Sequence, residues 1–179
     1  MSRSKAGAHA YDHVRRVYSI SMELGRALGA DLRILAAAAL LHDVGRVREE
    51  ETGVSHSVVS GEMSEDILKE LGYTDAEIYG VKRAIRTHRF SENLTPVSLE
   101  GEILCDADKL DAMGAIGVFR AIAQAAIEDL GFEAFLKHAD QKLLKLRVLM
   151  HTDVAKRMAE ERHAVLDSFV VQLRRELGT

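Results

Sequence analysis

Several things are scarce in this chain, and each scarcity removes a class of protein. There is one cysteine, Cys105, in 179 residues. A single cysteine excludes an internal disulfide framework and suits a reducing compartment. Its neighbours Ile103 and Leu104 favour a small buried residue over a nucleophile. No stretch approaches the ~18 uninterrupted apolar residues of a membrane span, and the first eight residues lack the apolar centre of a signal peptide. The expectation is a cytoplasmic protein with no membrane partner. Basic excess is missing as well: the formal net charge is −4, which argues against a nucleic-acid polymer as the main partner. Tryptophan is absent, and four tyrosines and five phenylalanines leave little for a base-stacking pocket.

What remains is rich in helix formers. Ala, Leu, Glu, Lys and Arg recur throughout, proline occurs once, and no segment reads convincingly as a strand. The fold class is therefore all-α, a helical bundle. It is read as one domain over residues 1–179, with a motif-bearing core at about 9–125 and a helical extension at about 126–179.

The chain is organised around Ala36-Ala37-Ala38-Ala39-Leu40-Leu41-His42-Asp43-Val44-Gly45-Arg46. An apolar helix running into adjacent imidazole and carboxylate groups buries two polar side chains that need partners. A divalent metal accepts both donors at once. Gly45 permits a helix stop, and Arg46 follows with a permanent charge suited to a phosphate.

Other histidines lead apolar stripes at helical spacing. His13, Val17, Ile20, Leu24 and Leu28 share one face, as do His56, Val59, Met63 and Ile67. Ile78, Val81, Ile85 and His88 form a third such face, on a helix opened by a capping box of Thr74 and Glu77. Leu32, Leu35, Ala36, Ala39 and Leu40 are expected in the core, with Asp31 as the cap before them and residues 46–54 as a charged loop. Further on, Leu104, Asp108, Asp111 and Ala115 share a face while Asp106 points elsewhere. Phe119, Ile122, Ala126 and Leu130 read as a core stripe, and so do Leu143, Leu146, Leu149 and Met150. In the last helix Val154, Met158, Leu166, Val170 and Leu173 are the expected core. His9 could stand behind His13 or be exposed near the end; His138 and His151 read as surface or caps, and His163 as structural.

A lone histidine on an apolar face is more often a hydrogen-bonded core residue than a ligand. Six inward groups, His13, His42, Asp43, His56, His88 and Asp108, would repel or go unsatisfied together without a cation. Helix bundles build metal sites from facing side chains in this way.

These residues also resemble a family. The order His13, His42-Asp43, Asp108 is similar to the H…HD…D pattern of the HD-domain superfamily of metal-dependent phosphohydrolases. Leu41-His42-Asp43-Val44-Gly45-Arg46, Asp106-Ala107-Asp108-Lys109-Leu110-Asp111 and Asp12-His13-Val14-Arg15-Arg16-Val17 carry the likeness, and the helical C-terminal third looks like the small bacterial and archaeal members.

The resemblance implies that His13, His42, Asp43 and Asp108 bind one divalent ion: Mn, Fe, Co, Ni, Zn or Mg. Asp106 is the alternative to Asp108. His56 and His88 lie where two-metal relatives place further ligands, with Asp43 then bridging. The chain departs from those relatives in having His88-Arg89 where they often have a histidine pair.

The activity implied is hydrolysis of a phosphate mono- or diester, of a nucleotide or similar small molecule, by metal-activated water. Asp43, Arg46 and Lys109 are the candidate catalytic residues, the two cations as phosphate binders. Two alternatives keep the site: a di-iron HD-type oxygenase, and a non-catalytic, metal-stabilised nucleotide sensor. Self-association is left open by the sequence.

Overall fold

A computed structural model of the chain describes residues 11–178. His9 lies outside them. Among the described residues there are nine α-helices and no strand. They are α1 (Tyr11–Leu28), α2 (Leu32–Leu41), α3 (Arg46–Thr52), α4 (His56–Glu70), α5 (Asp75–Thr87), α6 (Leu99–Asp111), α7 (Gly114–Ile127), α8 (Phe132–Gln141) and α9 (Asp153–Leu177). Two 3-10 segments, Phe90–Glu92 and Leu143–Leu149, complete the described elements. The chain divides into two compact units, Val14–Asp108 on the one hand and residues up to His13 with Lys109–Thr179 on the other.

In the first unit α2 packs on α4 and α5, α4 packs on α5, and α3 lies on α4. The start of α2 is fixed as expected: Asp31 accepts from the backbone N–H groups of Arg33 and Ile34. Thr74 and Glu77 form the reciprocal capping box that opens α5. Val17, Ile20 and Leu24 of α1 and Ile78, Val81 and Ile85 of α5 are buried.

Helix α4 departs from its expected stripe. His56 and Val59 are buried as expected, but Ile67 is exposed, and the buried face also carries Ser57, Ser60, Gly61, Ser64 and Leu68. Small residues line this face of α4 where it packs on α5, and a Cβ on Gly61 would stand 3.8 Å from the Lys82 carbonyl oxygen, an ordinary contact distance. On α2, Leu40 is likewise 47% exposed and Leu32 is at the surface, because the helix buries its alanine side. Residues 46–52, expected as loop, form α3. Three glutamates and two arginines are good helix formers, and left-handed Gly53 ends the helix.

The second unit holds α7, α8 and α9 with the Leu143–Leu149 segment. Helix α9 packs on α7 and on the 3-10 segment, and α8 packs on both of those as well. Leu143, Leu146 and Met150 are buried, and α9 buries Ala155, Ala159, Leu166 and Val170.

The core stripe expected on α7 faces outward instead. Phe119 is 73% exposed, and Ile122 and Leu130 are exposed too, while Gly114, Gly117 and Val118 are buried. The glycine face is the one that can approach neighbours. At Gly114 (φ +67°) a Cβ would meet the Arg162 side chain at 3.3 Å, and at Gly117 one would collide with the Ala112 carbonyl oxygen at 2.2 Å.

Candidate metal centre

The cluster of the first unit is built on three helix ends. Helix α2 finishes at Leu41 with His42 as its C-cap, and α5 finishes at Thr87 with His88 as its C-cap. His56 is the first residue of α4, whose cap Ser55 accepts from the Ser57 N–H. Asp43 follows His42 in the turn between α2 and α3. Two helix C-termini therefore meet at this cluster, and their partial negative charge favours a cation there.

The turn bearing Asp43 is held by Gly45, whose N–H donates to Ser60 Oγ at 2.9 Å. A Cβ at Gly45 would lie 2.7 Å from the Ser60 backbone nitrogen. The sequence suggests Gly45 as a helix stop. Its φ of −84° needs no glycine, and the close approach to α4 is what excludes a side chain.

All the imidazoles are held the same way round. His42 Nδ1 donates to the Ala39 carbonyl at 2.8 Å, and His88 Nδ1 donates to the Ile85 carbonyl at 2.6 Å. His56 Nδ1 donates to Glu49 Oε2 at 2.8 Å. Carbonyl and carboxylate oxygens only accept, so each Nδ1 carries the proton and each Nε2 keeps its lone pair.

Those Nε2 atoms converge on Asp43. His42 Nε2 lies 3.5 Å from Oδ2, while His56 and His88 Nε2 lie 3.4 and 3.7 Å from Oδ1. His42, Asp43 and His88 each offer a donor atom within 4.8 Å of the others, and Asp108 offers a carboxylate oxygen within 4.8 Å of the donor atom of His42. His42, Asp43, His56 and His88 are all buried.

Burial pushes the Asp43 carboxyl up, but His88, His42 and Arg46 outweigh it and hold it well below the usual carboxylate range. Arg46 Nε stands 2.6 Å from Asp43 Oδ2, with its side chain part-exposed at the rim. His56 is shifted down, first by burial and next by the Arg46 charge, with Glu49 pulling the other way. Protonation of His56 is thus disfavoured, and its Nε2 stands 3.2 Å from His88 Nε2. A nitrogen-and-carboxylate donor set of this kind fits a divalent transition ion.

The second unit contains His13, buried, with Nδ1 donating to Asp111 Oδ2 at 2.7 Å. Asp111 also accepts from Arg120 Nη1. His13 Nε2 is left as the basic nitrogen by the same reasoning. Lys109, expected as a phosphate binder, is buried and donates from Nζ to the Leu149 carbonyl at 3.0 Å, a link within the second unit. Asp106 is buried as well, and no grouping of metal-donor atoms found among the described residues includes it. Cys105 is buried with Sγ on the Thr87 carbonyl, as a structural thiol would be.

Glu49 and Asp111 were not singled out by the sequence as supports for histidines. Asp111 did leave a trace, since it lies one turn beyond Asp108 on the same helix face. Glu49 sits in a stretch that looked like loop and left none.

Comparison with known proteins agrees with the geometry. A model of the HD domain family matches residues 10–113. YpgQ of Bacillus subtilis is 33% identical over 180 residues, covering 97% of this chain and 86% of that protein. A crystal structure of YpgQ in complex with ADP superimposes with a TM-score of 0.81 at 30% identity, covering 96% of this chain and 91% of that one. A HD-superfamily hydrolase of Bacillus thuringiensis gives a TM-score of 0.74 at 33% identity over 94% of this chain and 86% of the other. The tRNA (cytidine(56)-2'-O)-methyltransferase of Thermoplasma volcanium is 29% identical over 168 residues, which is 87% of this chain but 46% of that protein.

Proposed function

Since the chain belongs to the HD-domain family, whose members are in general metal-dependent phosphohydrolases, we propose that it hydrolyses a phosphate ester of a nucleotide at a divalent-metal centre. One observation supports this above the others: three imidazoles, each with Nδ1 engaged, turn Nε2 to a single ionised carboxylate, Asp43. That arrangement is ordered for a cation other than a proton.

His13, His42, Asp43 and Asp108 would hold one ion. His56 and His88 would hold a second, or complete the first. The ion supplies Lewis acidity toward a phosphoryl oxygen and lowers the pKa of bound water toward neutrality.

The chain's own residues supply the rest. Asp43, held ionised below the usual carboxylate range, would serve as a ligand at physiological pH. Arg46 spends its Nε on Asp43 and carries the rest of its guanidinium at the rim, where it would pair with phosphate oxygens. Lys109 donates to the Leu149 carbonyl, so phosphate binding is assigned to Arg46 in this scheme. ADP in the related YpgQ supports a nucleotide as the substrate class.

The test is metal content per chain, followed by turnover of p-nitrophenyl phosphate, its bis ester and a panel of nucleotides with Mn, Co, Ni and Mg. Turnover that needs the metal and disappears in Asp43→Ala is the expected result. Bound metal without turnover of any of these would overturn hydrolysis and favour the sensor reading.

A further inference from the structure

His56 is held differently from its two neighbours in the cluster. His42 and His88 sit at helix C-caps and donate to backbone carbonyls three residues earlier. His56, at the first position of α4, has no such carbonyl behind it. Its Nδ1 reaches the side chain of Glu49 on α3 instead.

Glu49 is in turn gripped from its other oxygen. Oε2 accepts from His56, while Oε1 accepts from Arg89 Nη1. The same Arg89 nitrogen donates to Ser55 Oγ at 3.0 Å, and Arg89 Nε donates to Ser91 Oγ at 3.0 Å. Arg89 directly follows His88, so the end of α5 delivers one imidazole itself and fixes the carboxylate that aims another. The second unit contains the same chain of contacts in His13, Asp111 and Arg120. There Asp111 is fully buried, whereas Glu49 and Arg89 are only part-buried.

We propose that Glu49 and Arg89 are positioning residues: the arginine orients the Glu49 carboxylate, and the carboxylate fixes His56 with Nε2 toward the metal. The proposal rests on the metal-centre reading given above. Carboxylate partners of metal-bound histidines fix the tautomer and raise the basicity of the nitrogen that coordinates, and their loss costs about 10–100-fold in metal affinity. Arginine suits this place because its fork spans Glu49, Ser55 and Ser91 at once.

The full chain, stripped of metal, is titrated with Mn(II) by calorimetry and with Co(II) by its visible absorption. His56→Ala identifies the binding step to which His56 contributes. Glu49→Gln and Arg89→Gln are expected to weaken that same step about 10–100-fold and to alter the Co(II) band. Arg89→Lys, which can still donate to Glu49, is expected to recover part of the loss. Glu65→Gln breaks an ion-pair network with Lys69 and Lys82 on α4 and α5 that includes neither Arg89, Ser55 nor a cluster histidine, and is expected to leave metal affinity unchanged. If Glu49→Gln proves unfolded by circular dichroism, the two Arg89 variants carry the test. Wild-type affinity and an unaltered Co(II) band in Glu49→Gln or Arg89→Gln would overturn the positioning role. So would an effect of Glu65→Gln as large as theirs. A wild-type chain that binds neither ion would overturn the metal-centre reading itself, a distinguishable result.

Discussion

The Nε2 atoms of His56 and His88 face each other at 3.2 Å, each with its Nδ1 already committed to an oxygen acceptor. Two lone pairs at that distance repel unless a cation stands with them. Metal should therefore stabilise the fold. At a free concentration of 100 Kd the gain is about 2.7 kcal/mol. For a chain of this length, that raises Tm by about 5–10 °C. A scan with Mn(II), reversed by EDTA, checks it.

Asp43→Asn removes the charge on which three imidazoles and Arg46 converge. Metal binding should fall by at least ~100-fold, as expected for loss of a ligand rather than of a supporting contact. Phosphate-ester turnover should fall to background. Metal analysis after dialysis, with the esterase assay beside it, measures both. Retention of full metal content and activity would rule out Asp43 as the central ligand.

Arg46, paired with Asp43 and part-exposed, is the proposed partner of a substrate phosphate. Charge-assisted hydrogen bonds contribute about 1.5–3 kcal/mol. Arg46→Ala should therefore lower kcat/KM by roughly 10–100-fold, while Lys109→Met should act mainly on stability, because Lys109 ties to Leu149. Steady-state kinetics paired with urea unfolding separates the two effects.

Gly45 leaves no room for a methyl group beside Ser60 and Val59. Gly45→Ala should cost about 1–3 kcal/mol by overpacking. It should also displace the Asp43 turn, so that metal affinity falls with the urea midpoint. A fall in stability with unchanged metal affinity would show that the turn tolerates the shift.

Phe119 and Leu166 make a paired test of the second unit. Phe119→Ala at an exposed position should change stability by no more than about 0.5 kcal/mol. Leu166→Ala in the buried core should cost about 2–5 kcal/mol. Equal costs would mean that the face of α7 carrying Phe119 is covered in solution.

The legible part of this protein was its inward-facing chemistry. Histidines at the head or tail of apolar stripes marked His13, His42, His56 and His88, and all four are buried. The helical class and the caps at Asp31 and Thr74 were readable too, because local hydrogen bonding determines them.

What periodicity could not resolve was which of two apolar faces a helix would bury. On α7 the larger residues lost to a glycine face that permits closer packing, and on α4 serines displaced Ile67 for the same reason. Hydrophobic spacing registers side-chain size, whereas helix contact distance is set by its absence. The supports Glu49 and Asp111 were hidden for another reason: the first is seven residues from its histidine and the second is 98 residues from its own.

The contrast in how the imidazoles are anchored has an evolutionary consequence. His42 and His88 lean on peptide carbonyls of Ala39 and Ile85, atoms that no codon change can delete. His13 and His56 lean on carboxylates, which a single nucleotide change can neutralise. Half of the histidine set is thus invisible to point mutation in its support, and the other half is open to gradual retuning. Divergence in metal preference between descendants of this chain would begin at positions 49 and 111.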